Sequence, residues 1–322
     1  MQCTQTTLFK PTEQMISKQL VSQQMVSIVA RHLEGDYSDT LTRFSYILGA
    51  SDFLRFIYTP QYLGYTKEMK LLDCITPKIE QIIGKNLQII DLGPGNGKKA
   101  VKIMENLGKL VSHYSALDMS RQMLDTARIS QKRTKEVSKE YQLCDFSNLY
   151  ELGKKINMNP DGERLFLLLG NTLTNEVNME FFLQTFRKIV DQTNKRKNYF
   201  LLGVELLNQN INQIIEEYRT EENYILTFRP LEMINICKQD GVIKISFNEK
   251  LRRIEEEFIF TSSRRMIENG QNILFSEGDR VLLSVTYKPT FDEMIGYIRK
   301  THWNIESIKC DENQAMFLLS SR

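Results

Sequence analysis

This chain of 322 residues is short of cysteine pairs: its five cysteines, Cys3, Cys74, Cys144, Cys237 and Cys310, are scattered without any Cys-x-x-Cys spacing. That pattern supports neither a disulfide scaffold nor a thiolate zinc site. Histidine is scarcer still, and His32, His113 and His302 show no metal-ligand spacing, so each reads as a surface or packing residue and no metal is expected. A dominant charge is also missing. Lys and Arg total 42 against 40 Asp and Glu, and a net charge of +2 exerts no general pull on nucleic acid or anionic membrane. The one compact basic run, Lys195-Arg196-Lys197, reads as a solvated turn. No uninterrupted apolar run approaches membrane-spanning length, and Met1-Gln2-Cys3-Thr4-Gln5 lacks a basic region followed by an apolar one. The expectation is a cytoplasmic, monomeric protein that meets a small molecule rather than a membrane or a nucleic acid. Apolar residues make up 41% of the chain, enough to bury a core in one large domain or two smaller ones.

The most informative segment present is Asp91-Leu92-Gly93-Pro94-Gly95-Asn96-Gly97-Lys98-Lys99. It follows an apolar run, Leu87 to Ile90, and opens a helical pattern, Ala100 to Leu110. A strand that turns on glycines into a helix offers bare backbone N–H groups to a ligand. The spacing is Gly-x-Gly-x-Gly rather than Gly-x-Gly-x-x-Gly, and a second acid, Asp118, ends the next apolar run. This combination suits S-adenosylmethionine better than a dinucleotide: Gly93 and Gly95 would shape the turn, Lys99 would meet the methionine carboxylate, and Asp118 would accept both ribose hydroxyls. Asp145-Phe146, closing a third run, would suit the adenine amino group and ring face. The alternative is an ordinary tight β–α turn with solvated carboxylates.

Residues 10 to 40 show a helical recurrence of apolar positions. Aromatic residues crowd from Tyr46 to Tyr65, which is consistent either with helix packing or with a ligand pocket. Short apolar runs at 87–92, 114–118, 141–146, 164–170 and 199–205, separated by helical segments, predict a parallel sheet covered on both faces. A helical stretch over 208–237 then leads to strand-like alternation at 242–250, 254–260 and 281–287, expected as an antiparallel insertion. A helix over 291–301 and strands at 304–308 and 314–319 close the chain, the last expected to enter the sheet antiparallel to its neighbours.

Over residues 44 to 322 the chain resembles the ergothioneine-pathway histidine Nα-methyltransferase family. The likeness rests on Pro60-Gln61-Tyr62, Leu167-Leu168-Leu169-Gly170-Asn171-Thr172-Leu173-Thr174-Asn175, Tyr218 through Phe228, and Phe275-Ser276-Glu277-Gly278 running into Ser284-Val285-Thr286-Tyr287-Lys288, in that family's order. It implies an α/β, doubly wound, Rossmann-like sheet for 67–207 and 287–322, with an α+β substrate-binding domain formed by 1–66 and 208–286. It implies cofactor contacts at Gly93, Lys99, Asp118, Asp145 and Phe146. Gly170, Asn175, Tyr62 and Tyr218 would hold the substrate's amino and carboxylate groups, with Tyr46 and Phe228 completing the wall, and Tyr46, Asn175 and Tyr218 would orient the reacting nitrogen. The simpler reading of Asn175 is a helix N-cap.

The departures matter as much. The family's Glu and Ser that grip an imidazole correspond here to Ser284 and Thr286, an apolar methionine becomes Glu256 or Glu255, and a threonine becomes Ile225. The expected activity is therefore S-adenosylmethionine-dependent methylation of an amine nitrogen on an amino acid or small amine other than histidine. Histidine methylation is one alternative, and a cofactor-binding protein without catalysis is another. An Asn-Pro-Pro-Tyr or Asp-Pro-Pro-Tyr turn is missing after the fourth strand, which speaks against a nucleic-acid methyltransferase.

Overall fold

Successive side chains of a strand point to opposite faces, so a continuously apolar strand requires cover on both sides. The computed structural model, which describes residues 13–134, 136–146, 148–156, 162–193, 197–207, 210–268 and 270–321, supplies that cover. Its strands are β1 (Leu87–Leu92), β2 (Val111–Asp118), β3 (Ser138–Leu143), β4 (Arg164–Leu168), β5 (Asn198–Glu205), β6 (Gly241–Asn248), β7 (Arg253–Phe260), β8 (Arg264–Glu268), β9 (Gln271–Phe275), β10 (Arg280–Tyr287), β11 (Asn304–Cys310) and β12 (Gln314–Ser320). Seven of them form one sheet in the order β11-β12-β5-β4-β1-β2-β3. Strands β1 to β5 pair in parallel, and β12 runs antiparallel between β5 and β11.

Ile90, Leu92, Phe200, Leu202, Phe317 and Leu319 face one core, packed under the helices Leu149–Ile156, Met179–Thr193 and Phe291–Lys300. Their neighbours Ile89, Tyr199, Leu201, Met316 and Leu318 face the other, under Gly64–Ile82 and Lys98–Leu107. The strand order reverses direction beside β1, and in such sheets ligands bind in the crevice beyond the carboxyl ends of the strands at that point.

A third core belongs to a smaller assembly. The helices Glu13–Leu33, Thr42–Leu48 and Glu221–Met233 pack around the antiparallel sheet β10-β7-β6 and the hairpin β8–β9, burying Met25, Phe44, Phe228, Phe258, Phe260 and Phe275 together.

The structure corrects several expected boundaries. The helix expected over 208–237 is two helices, Ile211–Tyr218 and Glu221–Met233, because Thr220 caps the second and accepts the Asn223 N–H at 3.2 Å. Strand β3 ends at Leu143 rather than residue 146, and β4 at Leu168 rather than 170, with Asp145, Phe146 and Gly170 left on the loops beyond. The hairpin β8–β9 was not anticipated; Met266, Ile273 and Phe275 turn inward from it. Cys3, residues 10–12, Lys195, Arg196 and Asn208 lie outside the described residues. Among the described residues no cluster of His, Cys, Asp or Glu could hold a metal, and no helix is long and apolar enough to cross a membrane.

Candidate functional site

The glycine turn lies at the carboxyl end of β1, where Gly93, Gly95 and Gly97 have φ of 72°, 55° and 71°. This left-handed region is costly for any residue with a Cβ. The Gly93 N–H donates to the Leu117 carbonyl at 2.9 Å, which ties the turn to the end of β2. A Cβ on Gly97 would lie 2.9 Å from the Ala127 Cα, so glycine also permits the close approach of the helix Arg121–Ser130. Phe146 flanks the turn at Gly93 and Phe53 flanks it at Gly95.

One continuous cavity of about 220 Å³ runs from this turn to the smaller sheet. At its sheet end Asp118 is buried, and its Oδ1 accepts the Ser120 N–H at 2.8 Å. Burial is the main cause that pushes its carboxyl up to about 7. Asp91 behaves alike, held by the Tyr114 hydroxyl at 2.9 Å and raised by burial to about 7. Asp145 and Phe146 line the same end.

Lys99, expected to face a ligand carboxylate, lines the cavity in close ion pairing with Glu68. Glu68 is 2% exposed, and its Oε1 also accepts the Gly170 N–H at 2.6 Å. Sequence reasoning missed this residue, although a signal was present: Glu68 shares the buried face of its helix with Leu71, Leu72, Ile75 and Ile79, where an acid is out of place. Space for it depends on Gly203, where a Cβ would fall 2.1 Å from Glu68 Oε1. Gly203→Ala is therefore expected to displace Glu68, to cost about 1–3 kcal/mol of stability, and to alter ligand affinity if Lys99 meets a ligand as expected. Chemical denaturation and calorimetry on the same variant check both effects.

A polar network forms where the two assemblies meet. Asn175 lies in a short turn, Leu173–Asn175; its Nδ2 donates to the Tyr46 hydroxyl at 3.2 Å, and its Oδ1 accepts from Thr286 Oγ1 at 3.0 Å. The N-cap role falls to Asn178, whose Oδ1 accepts the Phe181 N–H at 2.9 Å. Asn171 Nδ2 donates to Glu205 Oε2 at 3.0 Å, to Tyr218 at 3.2 Å and to Tyr62 at 3.4 Å. Lys288, fully buried, pairs closely with Glu205 and donates to the Tyr218 hydroxyl at 3.0 Å. The Tyr218 oxygen thus accepts two N–H groups, leaving its own proton to be donated. Burial drives Tyr46 up to about 12 and Tyr62 and Tyr218 well above the ordinary phenol range, so all three stay protonated near neutral pH.

Asn171, Glu205 and Lys288 were not singled out from sequence. The rule that selected Asp118, an acid ending an apolar strand, applies equally to Glu205. Lys288 is a charged residue directly after an apolar strand, which is the same kind of signal.

At the far end Ser284, Thr286 and Glu256 line the cavity. The choice between Glu255 and Glu256 follows from strand alternation: Glu255 turns to the opposite face, where it accepts from Arg253 Nε at 2.7 Å and Asn248 Nδ2 at 3.1 Å. Two expected wall residues stand elsewhere. Phe228 is not on the cavity wall but in the third core, its ring 5.4 Å from that of Phe258, and Ile225 is also off the wall. On that helix Asn223, Leu226 and Thr227 face the cavity instead, following the helical i, i+3, i+4 pattern. Tyr46, Tyr62, Gly170, Asn175 and Tyr218 all line it.

Residues 42–322 match the model of a family described as histidine-specific, S-adenosylmethionine-dependent methyltransferases. Curated proteins provide no significant match. Among solved structures the chain is similar to an S-adenosylmethionine-dependent methyltransferase from Clostridium acetobutylicum ATCC 824, at 13% identity and a TM-score of 0.42 over 84% of this chain and 97% of that one. It is also similar to the magnesium protoporphyrin IX methyltransferase from Synechocystis PCC 6803 with bound SAH, at 7% identity and a TM-score of 0.43 over 86% and 96%. The CurJ carbon methyltransferase aligns at 10% identity and a TM-score of 0.49 over 95% and 68%. With the family model matched across the seven-stranded sheet, the glycine turn and the cavity, the chain belongs to the histidine-specific, S-adenosylmethionine-dependent methyltransferase family.

Proposed function

We propose that the protein transfers a methyl group from S-adenosylmethionine to the amino nitrogen of an amino acid or related small amine other than histidine. The observation that carries this reading is the continuity of one cavity from the glycine turn and Asp118 to the Asn171, Asn175, Tyr62 and Tyr218 cluster. The donor set fits the cofactor. A buried carboxylate at the end of β2 is acceptor-only when ionised and suits a ribose diol, and Phe146 beside Asp145 suits an adenine ring and its amino group. Lys99, shared with Glu68, would meet the carboxylate of the methionine tail. Bound there, the cofactor supplies an activated methyl group, and transfer forms a nitrogen–carbon bond as the sulfur–carbon bond breaks.

The chain's own residues then have three tasks. The Tyr218 and Tyr62 hydroxyls, unable to ionise near neutral pH, donate to the acceptor's carboxylate without adding charge. Asn175 and Tyr46 hold the nitrogen in line with the methyl carbon, a positioning effect worth about 7 kcal/mol or more in favourable systems. The attacking amine must be neutral, and an α-amino group with an ordinary pKa of about 8 needs only slight depression to lose its proton to solvent beforehand. No dedicated base is required. The division of labour between 67–207 with 287–322, holding the cofactor, and 1–66 with 208–286, holding the acceptor, is part of the same proposal, as are a cytoplasmic location and a monomeric state.

A second reading, methylation of histidine itself, is favoured by the description of the matched family. Incubation with methyl-labelled cofactor and a panel of amino acids, amines and histidine separates the two. Label is expected on the amino nitrogen of a non-histidine acceptor; rapid turnover of histidine alone would reverse the assignment. Cofactor binding without methylation of any acceptor would leave only a cofactor-binding protein.

A further inference from the structure

Away from the glycine turn the cavity is lined by a carboxylate, Glu256, that pairs with no cation among the described residues. Glu256 on β7 is 2% exposed, and its Oε1 accepts from Ser284 Oγ at 2.7 Å, its register partner on β10. Its Oε2 accepts from Asn223 Nδ2 at 2.8 Å and from Thr227 Oγ1 at 3.1 Å. All three donors are neutral. Burial raises its pKa, and the hydrogen bonds from Ser284, Thr227 and Asn223 oppose the rise. The two basic side chains that line the cavity are committed elsewhere, Arg43 to Asp39 and Lys99 to Glu68. A carboxylate offers about four acceptor directions. Three donors from the wall, Ser284, Asn223 and Thr227, leave about one direction unused, and Glu256 lines the cavity.

Buried charge is tolerated when an opposite charge with hydrogen-bonding protons reaches it. We propose that Glu256 receives a permanently cationic second nitrogen of the acceptor, an ammonium or guanidinium at the end of an amino-acid side chain or of a diamine. The inference rests on the amine-methylation reading above and names its substrate class. It divides the roles of the acceptor's two nitrogens. The one at Asn175 and Tyr46 must be neutral to attack; the one at Glu256 keeps its proton and charge and takes no part in bond making. A neutral imidazole, with an ordinary pKa of about 6.5, would leave the carboxylate uncompensated at neutral pH, whereas an ammonium or guanidinium would not. Ser284 and Thr286, two residues apart on β10 and both on the cavity wall, add hydroxyls beside the carboxylate that can accept further N–H bonds.

The experiment compares kcat/KM for lysine, ornithine, arginine, putrescine, norleucine and histidine at saturating cofactor, in the unaltered protein and in Glu256→Gln. Norleucine matches the lysine chain but lacks its charge. At least one cationic acceptor is expected to exceed norleucine and histidine by about 100-fold, and Glu256→Gln to erase most of that ratio while cofactor affinity stays within about twofold. Preference of the unaltered protein for norleucine or histidine, or an unchanged ratio in Glu256→Gln, would overturn the inference yet leave amine methylation standing. Failure to methylate any amine despite cofactor binding would remove the underlying reading, and this one with it. Should Glu256→Gln not fold, the ratio of the best cationic acceptor to norleucine and histidine in the unaltered protein decides the matter alone.

Discussion

Asn175→Ala is expected to lower kcat/KM for the acceptor by about 10²- to 10³-fold while cofactor affinity stays within about threefold. The side chain joins the two assemblies, giving Nδ2 to Tyr46 and accepting from Thr286. Truncation takes the Asn175 partner away from the Tyr46 and Thr286 hydroxyls, at roughly 1–3 kcal/mol for a buried group left unsatisfied, and removes the group that would aim the nitrogen. The cofactor's expected contacts at Gly93, Asp118 and Phe146 lie on other loops and are untouched. Steady-state rates at saturating cofactor, with calorimetry for affinity, check the split. Equal losses in affinity and turnover would show that Asn175 serves the cofactor or the fold rather than the acceptor. Thr286→Ala, which removes one of the two bonds, should fall between Asn175→Ala and the unaltered protein.

The second large effect is on the cofactor. Asp118→Ala should weaken S-adenosylmethionine by about 100-fold or more, because two charge-assisted hydrogen bonds at about 1.5–3 kcal/mol each are removed together. Its pH dependence is a sharper test. Burial holds the carboxyl up at about 7, and on the proposed reading only the ionised form would accept both ribose hydroxyls. Affinity should therefore rise with pH up to about 7 and level off above it, falling by about tenfold per unit on the acid side. Asp118→Asn should lose that slope. Asp91 is raised to about 7 as well, so any slope that survives in Asp118→Asn belongs to Asp91. A flat profile in the unaltered protein would mean that Asp118 does not titrate in this range or does not meet the ribose.

The parts of this protein that could be read from sequence are those where one chain segment contains its own constraint. The run from Leu87 to Leu92 is buried at every position, and apolar at all but Gln88 and Asp91, because both faces of β1 are covered, and it ends on glycines because the turn occupies left-handed backbone space that is costly for other residues. The acid that ends β2, Asp118, is legible in the same way, as a charged residue closing an apolar run, and the strand alternation of β7 leaves only the choice between two neighbouring glutamates. Boundaries were less legible where capping decides them. Thr220 interrupts a helical pattern that runs smoothly on both sides, and nothing in hydrophobic periodicity marks the break.

Residue types, spacing and order were enough to determine an α/β sheet, a glycine turn at the end of β1, and the acids that flank it, since these follow from backbone geometry within single β–α units. The tertiary structure alone decided that Lys99 shares Glu68 with Gly170, that Asn171, Glu205 and Lys288 form one network around Tyr218, that Glu256 rather than Glu255 faces the cavity, and that Phe228 belongs to a core. The physical reason is distance along the chain. The contacts that build the networks join residues far apart in sequence, such as Gly170 to Glu68 or Lys288 to Glu205, and whether a buried charge meets its partner depends on how helices and sheets pack, which no local pattern records.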